Sequence, residues 1–225
     1  MSREEKAYIV PFFAFMGGLA LIELIGKFAQ NSTSFWLTQP HFWVYPLQTI
    51  VCGALLFYYR KHYPLRPLGQ PLLTLGAGVL VLVLWISPQA FFGQPLRLKG
   101  FDPTVFENQP ALYWTTLGLR FVRLVIVVPL LEEIFWRGWL MRYLIHPHAL
   151  SVPFGTYQLK AFVITAGMFA LAHFGPDLIP ALITGVLYNA LACRTKSLAS
   201  CVVAHALTNL LLGIYILKTG QWGFW

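Results

Sequence analysis

The chain has 225 residues, 57% hydrophobic and 11% charged, with a mean hydropathy of +0.64. A soluble domain carries about 25% charged residues, so this composition excludes a soluble enzyme and points to a polytopic, all-α membrane bundle, with residues 1–225 forming one integral membrane domain. The formal net charge of +8 sits mostly in short loops, where Lys and Arg orient the chain and meet headgroups of the lipid bilayer; no nucleic-acid partner is implied.

Apolar windows predict seven spans in chain order: Ala7–Ile25, Phe42–Tyr59, Pro71–Ser87, Ala111–Leu131 with a helical extension to Ile145, Gln158–Phe174, Leu178–Cys193 and Leu198–Leu217. An eighth pass follows only if the Gly/Pro-bearing segment Pro88–Pro110 folds back into the bilayer. The basic residues vote for a cytoplasmic N-terminus: Arg3, Lys6, Arg60, Lys61, Arg66, Arg142, Lys160, Arg194 and Lys196 fall on one side, and Lys27, Arg97, Lys99 and Lys218 on the other. The opening MSREEKAYIVPFFAF carries no small-residue cleavage site, so it is expected to stay as the first span. Trp and Tyr near the span ends fit interfacial belts. Cys52, Cys193 and Cys201 are scattered in apolar spans, with no pairing pattern, and read as small buried hydrophobes.

Against this background three polar groups stand out. Glu132, Glu133 and Arg137 lie in LLEEIFWRGWL, His173 ends GMFALAH, and His205 and Asn209 lie in VVAHALTN. An ionisable group at membrane depth costs at least about 2.5 kcal/mol, so its default reading is functional. Glu133 and Arg137 share a helix face in the favourable order. Glu132 is turned by about 100° from Glu133 and is free to face a cavity. Pro129 just before them removes a backbone donor and kinks the helix. His205 and Asn209 share a face, as do Phe169 and His173. Rises of about 1.5 Å per residue permit Glu132 and His173 to lie level on antiparallel helices.

A carboxylate with a His can hold and deprotonate water, and a His with an Asn can stabilise an oxyanion. That combination suits amide hydrolysis. No Ser or Cys nucleophile stands beside these residues. A His₂Glu zinc site from Glu132, His173 and His205 is the alternative, disfavoured by the lack of an HExxH pair. Two non-proteolytic readings also stand: a scaffold or binding protein of the same fold, and a small transporter with Glu23, Arg120 and Arg123 along a path. No Gly/Pro-broken segments recur in matching halves, which weighs against transport. Arg120 and Arg123, three apart in the fourth span, line the interior or reach headgroups, and a substrate carboxylate is one ligand for them.

At these residues the sequence resembles the type II CAAX prenyl endopeptidase family, also called the CPBP family of intramembrane proteases. Its motifs Glu-Glu-x-x-x-Arg, Phe-x-x-x-His and His-x-x-x-Asn are matched by Glu132-Glu133-Ile-Phe-Trp-Arg137, Phe169-Ala-Leu-Ala-His173 and His205-Ala-Leu-Thr-Asn209, within a core of about 111–217. The resemblance implies a glutamate-dependent endopeptidase without a metal or other cofactor. Glu132 and His173 would activate water, His205 and Asn209 would form the oxyanion hole, and Glu133, Arg137 and Phe169 would support the site. The partner implied is a membrane-associated protein or peptide substrate. The N-terminal segments VPFFAFMGGLALIEL, WVYPLQTIVCGALLFYYR and YPLRP resemble the exosortase-associated bacterial branch, which implies an inner-membrane location and exosortase-system components as partners.

Overall fold

The computed structural model describes residues 2–65, 67–173 and 175–225. Arg66, counted above among the basic residues, and Phe174, the expected end of the fifth span, lie outside them. The described residues contain helices and no strand. The long helices are α1 (Arg3–Phe28), α2 (His41–Tyr59), α3 (Pro71–Ala90), α4 (Pro110–Tyr143), α5 (Leu159–Leu171), α6 (Leu178–Thr195) and α7 (Leu198–Thr219). All except α5 are long and apolar enough to cross a membrane. The protein is therefore a multi-pass membrane bundle.

The fifth helix is the main departure from expectation. Its 13 residues rise about 20 Å, short of a hydrocarbon core of about 30 Å. Ala172 and His173 form a turn at its end, and α6 begins at Leu178. The segment Pro88–Pro110 is not an eighth span. After α3 it runs as a loop with one short turn at Pro103–Phe106, pinned across the bundle end: Gly223 N donates to the Arg97 carbonyl (2.7 Å), and Arg97 pairs with Asp177 (2.8 Å).

Contacts between loops define the two ends. Arg3 reaches Tyr58, Tyr8 bonds the His62 carbonyl, Gly69 meets Ser200, and Arg142 clamps the carbonyls of Leu150 and Val152. These mark one end, rich in Lys and Arg. The Arg97–Gly100 stretch and Trp222–Trp225 mark the other, so the described N- and C-terminal residues lie at opposite ends.

Packing explains how the site elements are held. α1 docks on α2 and α4 through Tyr8, Phe12 and Phe15, with Phe12 stacked on Phe135 at 3.9 Å. α3 lies against α7 so closely that a Cβ on Gly78 would meet the Ala204 carbonyl oxygen at 2.7 Å. Thr208 Oγ1 donates across the same contact to the Gly78 carbonyl (2.7 Å). Small residues allow this approach where lipid supplies no hydrophobic drive between helices. α5 and α6 pair through Ala166 and Gly185.

Candidate active site

The site is built on α4, which is not a regular helix. Two π-helical turns, Arg123–Val127 and Trp136–Leu140, flank the α-helical stretch Val128–Phe135. Pro129 accounts for the first. Its ring clashes with the carbonyl four residues back in a regular helix, and it has no N–H to give. Val128 N–H bonds instead to Arg123 O. Leu124 O then has neither an α-type partner, because Val128 N–H is engaged, nor a π-type partner, because Pro129 has none. Asn209 Nδ2 from α7 fills that vacancy at 2.8 Å. Pro129 thus opens the helix, as the sequence suggested, through a π turn and not a simple kink.

Glu132 and Glu133 separate as helix geometry requires. Glu133 is fully buried, and its Oε1 accepts from Arg137 Nη1 (3.0 Å) and His205 Nδ1 (2.9 Å). Arg137, also fully buried, donates further through Nε to Asn189 Oδ1 (2.9 Å) and through Nη2 to Gly185 O (3.4 Å). Its guanidinium lies 4.8 Å over the Phe169 ring. A buried ion pair is tolerated when its remaining donors are satisfied in this way. Asn189 also donates to Phe162 O (2.9 Å), tying α4, α5, α6 and α7 into one polar knot.

Glu132 stays outside the knot. It is 7% exposed, and its Oε2 has no hydrogen-bond partner. It lines a cavity of about 170 Å³ together with Phe169, His173, Tyr188, His205 and Asn209. His173 sits where α5 ends. Its Nδ1 lies 2.9 Å from Phe169 O. A carbonyl only accepts, so Nδ1 carries the proton and Nε2 is left as a base. Phe169 therefore holds His173 by its carbonyl as well as by its ring, 4.6 Å away. All seven residues singled out in the three motifs meet here, and the short α5 is what brings His173 level with Glu132. Among the described residues no three His, Cys, Asp or Glu side chains cluster closely enough to hold a metal ion, so Glu132, His173 and His205 share a cavity without a ready ligand set.

Residues 114–211 match the family model of Rce1-like proteins, described as type II CAAX prenyl endopeptidase Rce1-like. Over this stretch the chain is similar to that family. The stretch contains every motif residue from Glu132 to Asn209, and it bears out the resemblance to the CAAX and CPBP proteases. The match supports a membrane peptidase of the CAAX type in general terms. No curated protein and no solved structure gave a match.

Three participants escaped the sequence reading. Asn189 is as deeply buried as Arg137 and completes the polar knot; a lone Asn inside LIPALITGVLYNALA was the signal, under the same rule that singled out Asn209. Gln48 of α2 bonds Arg123 (3.0 Å). Trp85 of α3, whose Nε1 donates to Thr184, stands beside the His173 ring. Glu23, by contrast, is exposed on α1 and joins neither Arg120 nor Arg123, which removes the transporter path drawn through them.

Proposed function

We propose that the protein is a glutamate-dependent intramembrane endopeptidase that cleaves a membrane-associated protein or peptide. The observation that carries this reading is that Glu132, whose buried Oε2 has no hydrogen-bond partner, lines one cavity with His173, His205 and Asn209. A water between Glu132 and His173 loses its proton to Glu132 as its oxygen attacks the scissile carbonyl carbon. The oxyanion that forms is met by His205 and by the second amide proton of Asn209, whose first is held by Leu124 O. Collapse breaks the C–N bond, and the proton taken from water goes to the leaving amine. No metal is required in this scheme.

The charge asymmetry supports an orientation with the Lys/Arg-rich end in the cytoplasm. The cavity is then lined at its other end by Asp177 and Trp225, and substrate approaches from that non-cytoplasmic side. A bacterial inner membrane and association with an exosortase-type export system extend the same reading.

The test is comparative C-terminal proteomics of membranes expressing the unsubstituted protein, Glu132→Ala or His173→Ala. New C-termini that appear with the unsubstituted protein and vanish with both variants are expected. Identical patterns with all three folded proteins overturn the proposal. Activity that survives exhaustive chelation separates this mechanism from a zinc-dependent one.

A further inference from the structure

We infer that a second cavity beside Glu132 and His173 is a carboxylate-binding subsite formed by Arg120 and Arg123, which selects peptides bearing a carboxylate a few residues from the scissile bond. This rests on the proposed peptidase reading for the position of that bond. Both arginines lie on α4 and are buried, 3% and 5% exposed. Among the described residues neither forms an ion pair. Arg120 Nε and Nη1 have no hydrogen-bond partner. Two buried cations three residues apart repel each other, and buried charges are ordinarily paired.

What holds them is aromatic. The Arg120 guanidinium lies 4.8 Å from the rings of Tyr45 and Phe101 and 5.7 Å from Trp225. The Arg123 guanidinium lies 4.1 Å from Tyr45 and 4.8 Å from Phe15. Cation–π contacts offset part of the cost of burial without neutralising charge. Arg123 is aimed by a relay: its Nε donates to Gln48 Oε1 (3.0 Å), and Gln48 Nε2 donates to Phe15 O (2.6 Å). Gly18 leaves room for that Gln48, since a Cβ there would meet Nε2 at 2.7 Å. The result is a pair of cations, Arg123 aimed by the relay, whose cavity lining holds one carboxylate, Glu132, against two guanidinium groups.

The arginines line a cavity of about 220 Å³, walled by Met16, Leu19 and Trp136, which also reaches Glu132 and His173. It shares Leu124, Val128 and Trp225 with the first cavity, so one peptide can occupy both. Glu132 lies nine residues beyond Arg123 and twelve beyond Arg120, about 14 to 18 Å along the helix. Extended peptide covers that backbone separation in about four or five residues, an upper bound because both arginines and Glu132 line one cavity. The carboxylate is either a free C-terminus or an acidic side chain within that separation.

The experiment measures binding and not turnover. The full chain carrying Glu132→Gln, in nanodiscs, is titrated by fluorescence anisotropy with an N-terminally labelled apolar hexapeptide as its free acid and as its C-terminal amide. A second pair, both amidated, carries Glu or Gln at the last position. The free acid, the Glu peptide or both are expected to bind about ten-fold more tightly than their neutral partners, the scale of a charge-assisted hydrogen bond; which pair responds identifies the source. The preference is expected to disappear with Arg120→Gln or Arg123→Gln and to survive in part with Arg120→Lys. Equal binding within both pairs, which requires no arginine variant to fold, overturns the subsite, as does a preference that persists in both Gln variants. A charge preference without any hydrolysis by the unsubstituted protein sinks the peptidase reading and leaves the subsite standing; hydrolysis with equal binding does the reverse.

Discussion

His205 Nδ1 lies 2.9 Å from Glu133 Oε1, which also accepts from Arg137 Nη1. An ionised carboxylate only accepts, so the proton between them belongs to His205 Nδ1. The other ring nitrogen can donate to an oxyanion only when the ring carries a second proton. Glu133 is therefore more than a brace for Arg137: it also holds the His205 ring that lines the same cavity as Glu132.

This sharing predicts unequal consequences for the two neighbouring glutamates. Glu133→Gln leaves the fully buried Arg137 without its counter-charge, a loss of about 3–5 kcal/mol when one partner of a buried pair is removed. Thermal denaturation in detergent is expected to show a large fall in Tm, with much of it restored in Glu133→Gln/Arg137→Met. A double variant no more stable than Glu133→Gln alone refutes the pairing.

Glu132→Gln is expected to behave in the opposite way. Its Oε2 makes no hydrogen bond within the fold, so the substitution leaves no buried partner unpaired. Tm should hold while peptidase activity falls by about 10²–10⁴-fold, the contribution of a positioned general base. A marked loss of stability with Glu132→Gln contradicts this assignment.

The architecture was legible because apolar run length and interrupting charge are local signals. Six spans and the three motif segments could be read that way. The α5 length could not, because Ala161–Ala172 is apolar but for Thr165 and carries no local stop signal. The π turns were invisible for a related reason: Pro129 announces a lost N–H, but whether the helix kinks or widens depends on who takes the freed carbonyl, here Asn209 from a helix 85 residues later. The Asn189 and Gln48 relays likewise depend on helix neighbours that spacing does not reveal.

The α3–α7 contact gives a prediction about positioning. A Cβ on Gly78 meets the Ala204 carbonyl, which cannot move away as a flexible side chain would. Ala204 directly precedes His205. Gly78→Ala is expected to cost about 1–3 kcal/mol, typical of overpacking, and to lower activity by displacing His205. Gly76→Ala, on the same helix with open space around its added Cβ, is the control and should leave both unchanged.

Pro129→Ala tests the origin of the first π turn. The substitution supplies an N–H at residue 129 and relieves the clash with the preceding turn, worth about 3 kcal/mol in a helix interior. Leu124 O then has a backbone donor, whether the helix stays π-type or returns to α-type, and no longer needs Asn209 Nδ2. Stability is expected to hold or increase while activity falls, because Asn209 is released from the position from which it meets the oxyanion. Asn209→Leu should lower activity by a similar factor, and the double variant should be no worse than either single one, the non-additivity of residues acting through one contact. Full activity in Pro129→Ala, or strict additivity with Asn209→Leu, shows that the proline does not act through Asn209.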